Sequence, residues 1–188
     1  MPKFWYRVAG ILLKVFALYG CDLELYAQQL CGRAHPYNFR LMSDTGKIKQ
    51  AAAERGRKMG LKYAGALLPA EAHALMQAGA RLVDVRTEPE LAYVGSVPGS
   101  LAIEWQVYPG RPNPDFLGEL AAAVGKDVPV MFLCRSGVRS HAAADAATRA
   151  GWKEAYNVLE GFEGDKDAEQ HRNTVGGWRK AGLPWTQS

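Results

Sequence analysis

An apolar run, Val130-Met131-Phe132-Leu133, stands directly before Cys134 and a short polar loop, and an alanine-rich stretch from Ser140 to Ala150 follows. This succession restricts the fold more than any other part of the chain. The run, set off by Pro129, has the length and composition of a strand buried on both faces. The alanine-rich stretch favours a helix, and Gly151 is placed to close it. Other segments repeat the alternation. Residues 69–78 read as a helix with Pro69 in its first turn, stopped by Gly79. Residues 81–85 read as a strand and 88–93 as a short helix. Residues 101–105 form another expected strand, the proline-dense 108–114 a loop, and Phe116 to Val124 a helix capped by Asp115 and ended by Gly125. Residues 155–158 supply a further strand. The expected architecture is α/β: a doubly wound, mainly parallel five-stranded sheet with helices on both faces.

Ligands of such sheets bind beyond the carboxyl ends of the strands, which is where Cys134 falls. Loop amides and the positive end of the following helix would converge on its sulfur, and Arg135 and Arg139 add full charges. Surroundings of this kind lower a cysteine thiol from about 8.5 to roughly 3.5–7.5 and hold it as the nucleophilic thiolate. They also cradle a tetrahedral oxyanion. The competing reading is a structural cysteine buried at a strand end. Two arginines and a glycine beside it weigh against that reading, since a core cysteine has no use for them. Gly137 lets the backbone turn tightly and aim its amides at a ligand.

The segment Cys134-Arg135-Ser136-Gly137-Val138-Arg139-Ser140 resembles the active loop of the rhodanese-like sulfurtransferases. The resemblance extends upstream to Leu82-Val83-Asp84-Val85-Arg86, Glu90 and Val97-Pro98-Gly99-Ser100. Downstream it takes in Asn157-Val158-Leu159-Glu160-Gly161-Phe162 and the tryptophan-containing end around Trp178 and Trp185. It covers roughly residues 60–188. The related cysteine phosphatases require Cys-x5-Arg around a phosphoryl group, whereas Arg139 follows Cys134 as Cys-x4-Arg and position 140 is serine.

The resemblance implies two-step covalent transfer of sulfane sulfur through a Cys134 persulfide, from a small sulfur-containing anion such as thiosulfate to cyanide or a thiol. A persulfide carrier and a non-catalytic binding module are the alternatives. Arg135, Ser136, Gly137, Val138 and Arg139 would bind the donor, with the two arginines on its oxygens. The other role open to Arg139 is pairing with a carboxylate that fixes the loop. Asp84 and Arg86 would support the site, Arg86 by pairing with Glu90 and Asp84 by accepting loop amides near the sulfur. Ser96 stands where the family commonly has histidine, so stability is expected to change and activity to persist. His141 is assigned no catalytic role. Trp105, Tyr108 and Phe162 belong either to the pocket mouth or to the core. No cofactor or metal is expected.

Length and charge bound the rest. With 188 residues and 48% hydrophobic content, the chain can bury one good core. Residues 1–60 carry ten Lys and Arg against four Asp and Glu, and residues 61–188 carry thirteen against fifteen. The basic balance therefore belongs to the first third, and no general nucleic-acid surface is expected on the remainder. Residues 1–41 read as a leader, either a basic amphipathic helix able to lie on an anionic membrane surface or the product of an upstream start, with translation beginning at Met42. Residues 42–59 read as a polar helical lead and 60–188 as the domain. Cys21 and Cys31 match no metal spacing, and three cysteines in all set a reducing, cytoplasmic location as the expectation.

Overall fold

Strand β6 (Val130–Leu133) is buried along its whole length, and its side chains divide alternately between two cores. Val130 and Phe132 join one cluster with Phe116, Leu120, Ala143, Ala144 and Ala147; Met131 and Leu133 join another with Ala72, Leu75, Phe162 and Trp178. Period-two alternation between two apolar layers is what makes such a strand read as an unbroken apolar run.

The computed structural model describes residues 36–187. Residues 1–35 of the leader, with Cys21, Cys31 and the basic amphipathic segment, lie outside the described residues. The first described element, α1 (Pro36–Lys58), takes in the helical lead expected over residues 42–59 and begins N-terminal of it. Then come β1 (Gly65–Leu67), α2 (Pro69–Gln77), β2 (Arg81–Asp84), α3 (Glu88–Val94), β3 (Leu101–Ala102), β4 (Gln106–Val107), β5 (Arg111–Pro112), α4 (Phe116–Ala123), β6, α5 (Val138–Arg149) and β7 (Ala155–Val158). Residues 44–188 make one compact unit.

Five strands pair in the order β1-β7-β6-β2-β3, every neighbouring pair parallel. The sheet is the doubly wound α/β arrangement expected, with α4 and α5 contributing to one core layer and α1 and α2 to the other. Among the described residues no helix is long and apolar enough to cross a membrane.

Four local features differ from expectation. Strand β1 was not foreseen: Gly65-Ala66-Leu67 has little intrinsic strand character and becomes one by pairing with β7, Gly65 opposite Tyr156. The proline-dense loop contains a small antiparallel pair, β4 with β5, whose prolines sit at an edge where a missing N–H costs nothing. Strand β3 stops at Ala102, although the Ile103 and Trp105 amides still donate to Asp84 and Val85 carbonyls at 3.1 Å. Asp115 occupies the N-cap of α4 but makes no side-chain cap bond.

Candidate active site

Cys134 closes β6 at the carboxyl edge of the sheet, and its side chain is only 1% exposed. Cys134 belongs to the same apolar cluster as Val130 and Phe132, but polar donors also reach its sulfur. The Gly137 N–H donates to Sγ at 3.1 Å, and the Ser140 hydroxyl donates at 3.2 Å. This geometry depends on Gly137, whose φ of 95° lies in the left-handed region and turns the chain straight into α5. The helix therefore begins at Val138, two residues earlier than expected, which brings Ser140 into its first turn and under the sulfur.

The segment after β7 holds the loop from behind. The Phe162 and Glu163 amides donate to the Cys134 and Arg135 carbonyls at 2.7 and 3.0 Å, drawing both carbonyls away from the sulfur. Gly161 permits this approach: a Cβ there would stand 2.5 Å from the Cys134 carbonyl oxygen and from the Arg135 carbonyl carbon. Buried Asn157 donates from Nδ2 to the Gly137 carbonyl at 3.2 Å and fixes the other side of the turn.

Cys134 lies on the floor of an open cleft of about 650 Å³. One wall comes from Thr87 to Val94 and another from the tip between β4 and β5, including Tyr108 and Pro109. Arg135, Ser136, Val138 and Arg139 line it from the loop. Gly137 contributes its amide to the sulfur. Asp84 and Arg86 lie beneath, fully buried and outside the lining.

The ion pairs differ from the expected ones in an informative way. Arg86 does not pair with Glu90; it binds Asp84, Nε to Oδ1 at 2.9 Å and Nη2 to Oδ2 at 2.7 Å. Nη2 also donates to the Gly95 carbonyl at 2.8 Å, and the guanidinium lies 4.0 Å above the Phe162 ring. The Asp84 carboxylate thus accepts from Arg86, including its backbone N–H, and not from loop amides beside the sulfur. Arg86 lies just beyond the end of β2, two residues from Asp84, and both side chains are buried there, so the local pair forms.

Glu90 instead takes Arg139 in a two-pronged pair of 2.7 and 2.6 Å, and also accepts the Thr87 N–H and hydroxyl at 3.0 Å. Burial alone pushes the Glu90 carboxyl up, but Arg139 and the two Thr87 donors bring it down to about 2. Hydrogen bonding to Glu90 likewise holds the Arg139 guanidinium above its ordinary value. Of the two loop arginines, Arg139 is the committed one. Arg135 is exposed, and its guanidinium meets no partner among the described residues.

Several residues enter that the sequence reading left off the site. Ser140 closes the loop motif and has no role in the sequence-based expectation; its hydroxyl, in the first turn of α5, is the signal that points to the sulfur. The Glu90 partnership spans 49 positions and had no local signal. Tyr108 stands 66% exposed at the mouth, whereas Phe162 is buried and Trp105 packs edge-on against Phe116 at 4.9 Å. His141 accepts or donates at Nδ1 to the Tyr63 hydroxyl at 2.8 Å, away from the cleft lining. Ser96 contributes backbone bonds to Thr186, 2.8 and 2.9 Å, which hold the C-terminal segment.

Comparison with known proteins matches the model of the rhodanese-like domain over residues 68–168, more than half of the chain. The chain belongs to the rhodanese-like domain family. The solved structure of Rv0390 from M. tuberculosis is 45% identical with a TM-score of 0.63, covering 68% of this chain and 100% of that one. An uncharacterised protein of Rickettsia rickettsii is 37% identical over 112 residues, 55% of this chain and 80% of that protein. The thiosulfate sulfurtransferase GlpE of Stutzerimonas stutzeri is 34% identical over 95 residues, 50% of this chain and 78% of that protein. The rhodanese-like domain described here thus has sulfurtransferases among its relatives.

Proposed function

We propose that this rhodanese-like chain is a sulfurtransferase that carries sulfane sulfur on Cys134 from a small sulfur-containing anion to cyanide or a thiol. The observation that carries the reading is the sulfur on the cleft floor with two donors aimed at it, the Gly137 amide and the Ser140 hydroxyl. Both donors orient the sulfur and can stabilise negative charge on it during the reaction.

With thiosulfate, the thiolate attacks the outer sulfur, the S–S bond breaks, and sulfite departs with the electron pair. Arg135 is free to neutralise charge growing on the leaving group. The persulfide then loses its terminal sulfur to cyanide, giving thiocyanate, or to a thiol. Val138 lines the path of the donor, and Ser136 offers it a hydroxyl. Arg139 acts by fixing the loop through Glu90, while Asp84 and Arg86 support the sheet edge beneath. The chemistry needs Cys134 reduced, which a cytoplasmic setting provides.

A non-catalytic binding module would have no use for a cysteine cradled in this way. A carrier that hands its persulfide to a partner uses the same first step. Incubation with a panel of sulfane donors and cyanide, followed by thiocyanate detection, tests the reading. Thiocyanate formation lost in Cys134→Ser supports it; none with any donor overturns it.

A further inference from the structure

The charged residues lining the cleft are Glu90, Arg135 and Arg139. Glu90 and Arg139 neutralise one another at 2.6 and 2.7 Å, which leaves Arg135 as the uncompensated cation. Arg135 is then the single net positive charge among the lining side chains, against which the charge of a donor has to be balanced. A dianion such as thiosulfate would add two negative charges to this balance, and a monoanion only one. Thr87, Gln106 and Ser136 are the uncharged polar members of the lining, and apolar surface fills much of the rest: Val138 is 74% exposed, Tyr108 is 66% exposed, and Pro89, Val94 and Pro109 stand beside them. A cleft of about 650 Å³ lies within the range of roughly 300–1,000 Å³ that holds drug-sized ligands, far above the needs of a five-atom anion.

We infer that the preferred donor is a monoanionic organic sulfane-sulfur compound with an apolar body, and that the Glu90 carboxylate sets this preference by cancelling Arg139. The inference rests on the sulfurtransferase reading and narrows it to a donor class. For a thiosulfonate, R–SO2–S⁻, the Cys134 thiolate attacks the terminal sulfur and the S–S bond of the donor breaks. The electron pair leaves on the sulfinate, R–SO2⁻, and a persulfide anion remains on Cys134. Charge is conserved, and no proton, oxidant or reductant is consumed. The apolar group R meets Tyr108 and Val138, and Arg135 meets the sulfinate oxygens.

The test compares kcat/KM for thiosulfate, methanethiosulfonate and benzenethiosulfonate, each normalised to its reaction with free cysteine, in the full chain and in Glu90→Gln. Gln still accepts the Thr87 amide that caps α3 but carries no charge. Expected in the wild type is the order benzenethiosulfonate, methanethiosulfonate, thiosulfate. The first step down reports the apolar walls and the second reports charge. In Glu90→Gln the thiosulfonate-to-thiosulfate ratio falls about tenfold, a conservative figure for freeing one guanidinium that lines the same cleft as Cys134. Tyr108→Ala, which leaves the ion pair intact, lowers the benzene-to-methane ratio and keeps the inference testable if Glu90→Gln folds poorly. Thiosulfate preferred in the wild type, or a ratio unmoved by both substitutions, overturns the inference and leaves the sulfurtransferase reading standing. No persulfide from any of the three donors overturns both.

Discussion

Replacing Glu90 by glutamine removes one charge from a well-packed site and nothing else of comparable size. The side chains of Glu90 and Arg139 are 21% and 19% exposed, so solvent screens the pair little. A carboxyl held at about 2 in the fold, against an ordinary 4.5, contributes about 3 kcal/mol of stability once it is fully ionised in both states. The folded-state pKa is depressed, so the contribution is complete above about pH 5 and fades as pH falls towards 2, with less than half left near pH 3. The glutamine variant lacks it at every pH. Urea unfolding of both proteins at pH 7, 5, 4 and 3 should show a wild-type advantage of about 3 kcal/mol at neutral pH. That gap should narrow steeply below pH 4, because acid titration of the other carboxylates is common to both proteins. A gap below about 0.5 kcal/mol at pH 7, or one that stays constant across the series, refutes the assignment of Glu90 as the charge that anchors Arg139.

Three further substitutions separate reactivity from scaffolding. Arg135→Ala should cut donor kcat/KM at least tenfold, about 1.4 kcal/mol, while stability stays within about 0.5 kcal/mol, because the guanidinium is exposed and unpartnered; steady-state kinetics beside thermal melts check both halves. Gly161→Ala places a Cβ 2.5 Å from the Cys134 carbonyl oxygen at a φ of 65°, so it should cost about 2 kcal/mol or more and slow alkylation of Cys134 by iodoacetamide at neutral pH. Asp84→Asn leaves the Arg86 guanidinium buried without its counter-charge and should cost about 3–5 kcal/mol in chemical denaturation, although neither residue lines the cleft.

The parts of the fold legible in the sequence are those encoded over a few residues. Val130 to Leu133 reads as a buried strand because four apolar side chains must serve two cores. The position of Cys134 at its end and the glycine three residues on follow from the same stretch. The Asp84–Arg86 pair was not legible: Arg86 follows the end of β2, and the sequence offers it Glu90 as well as Asp84. What decides between them is the approach of α5, which offers Arg139 to Glu90 across 49 positions. Strand β1 has no local signature, because pairing with β7 creates it. The exact start of α5 depended on the left-handed turn at Gly137, a choice among several open to any glycine.

The most direct test is intact-protein mass spectrometry after brief incubation with a sulfane donor and removal of the excess. Expected is a gain of one sulfur atom, carried by the peptide containing Cys134, discharged by cyanide as thiocyanate and absent from Cys134→Ser. An unmodified Cys134 in folded protein, or sulfur that loads equally well onto the serine variant, would contradict it.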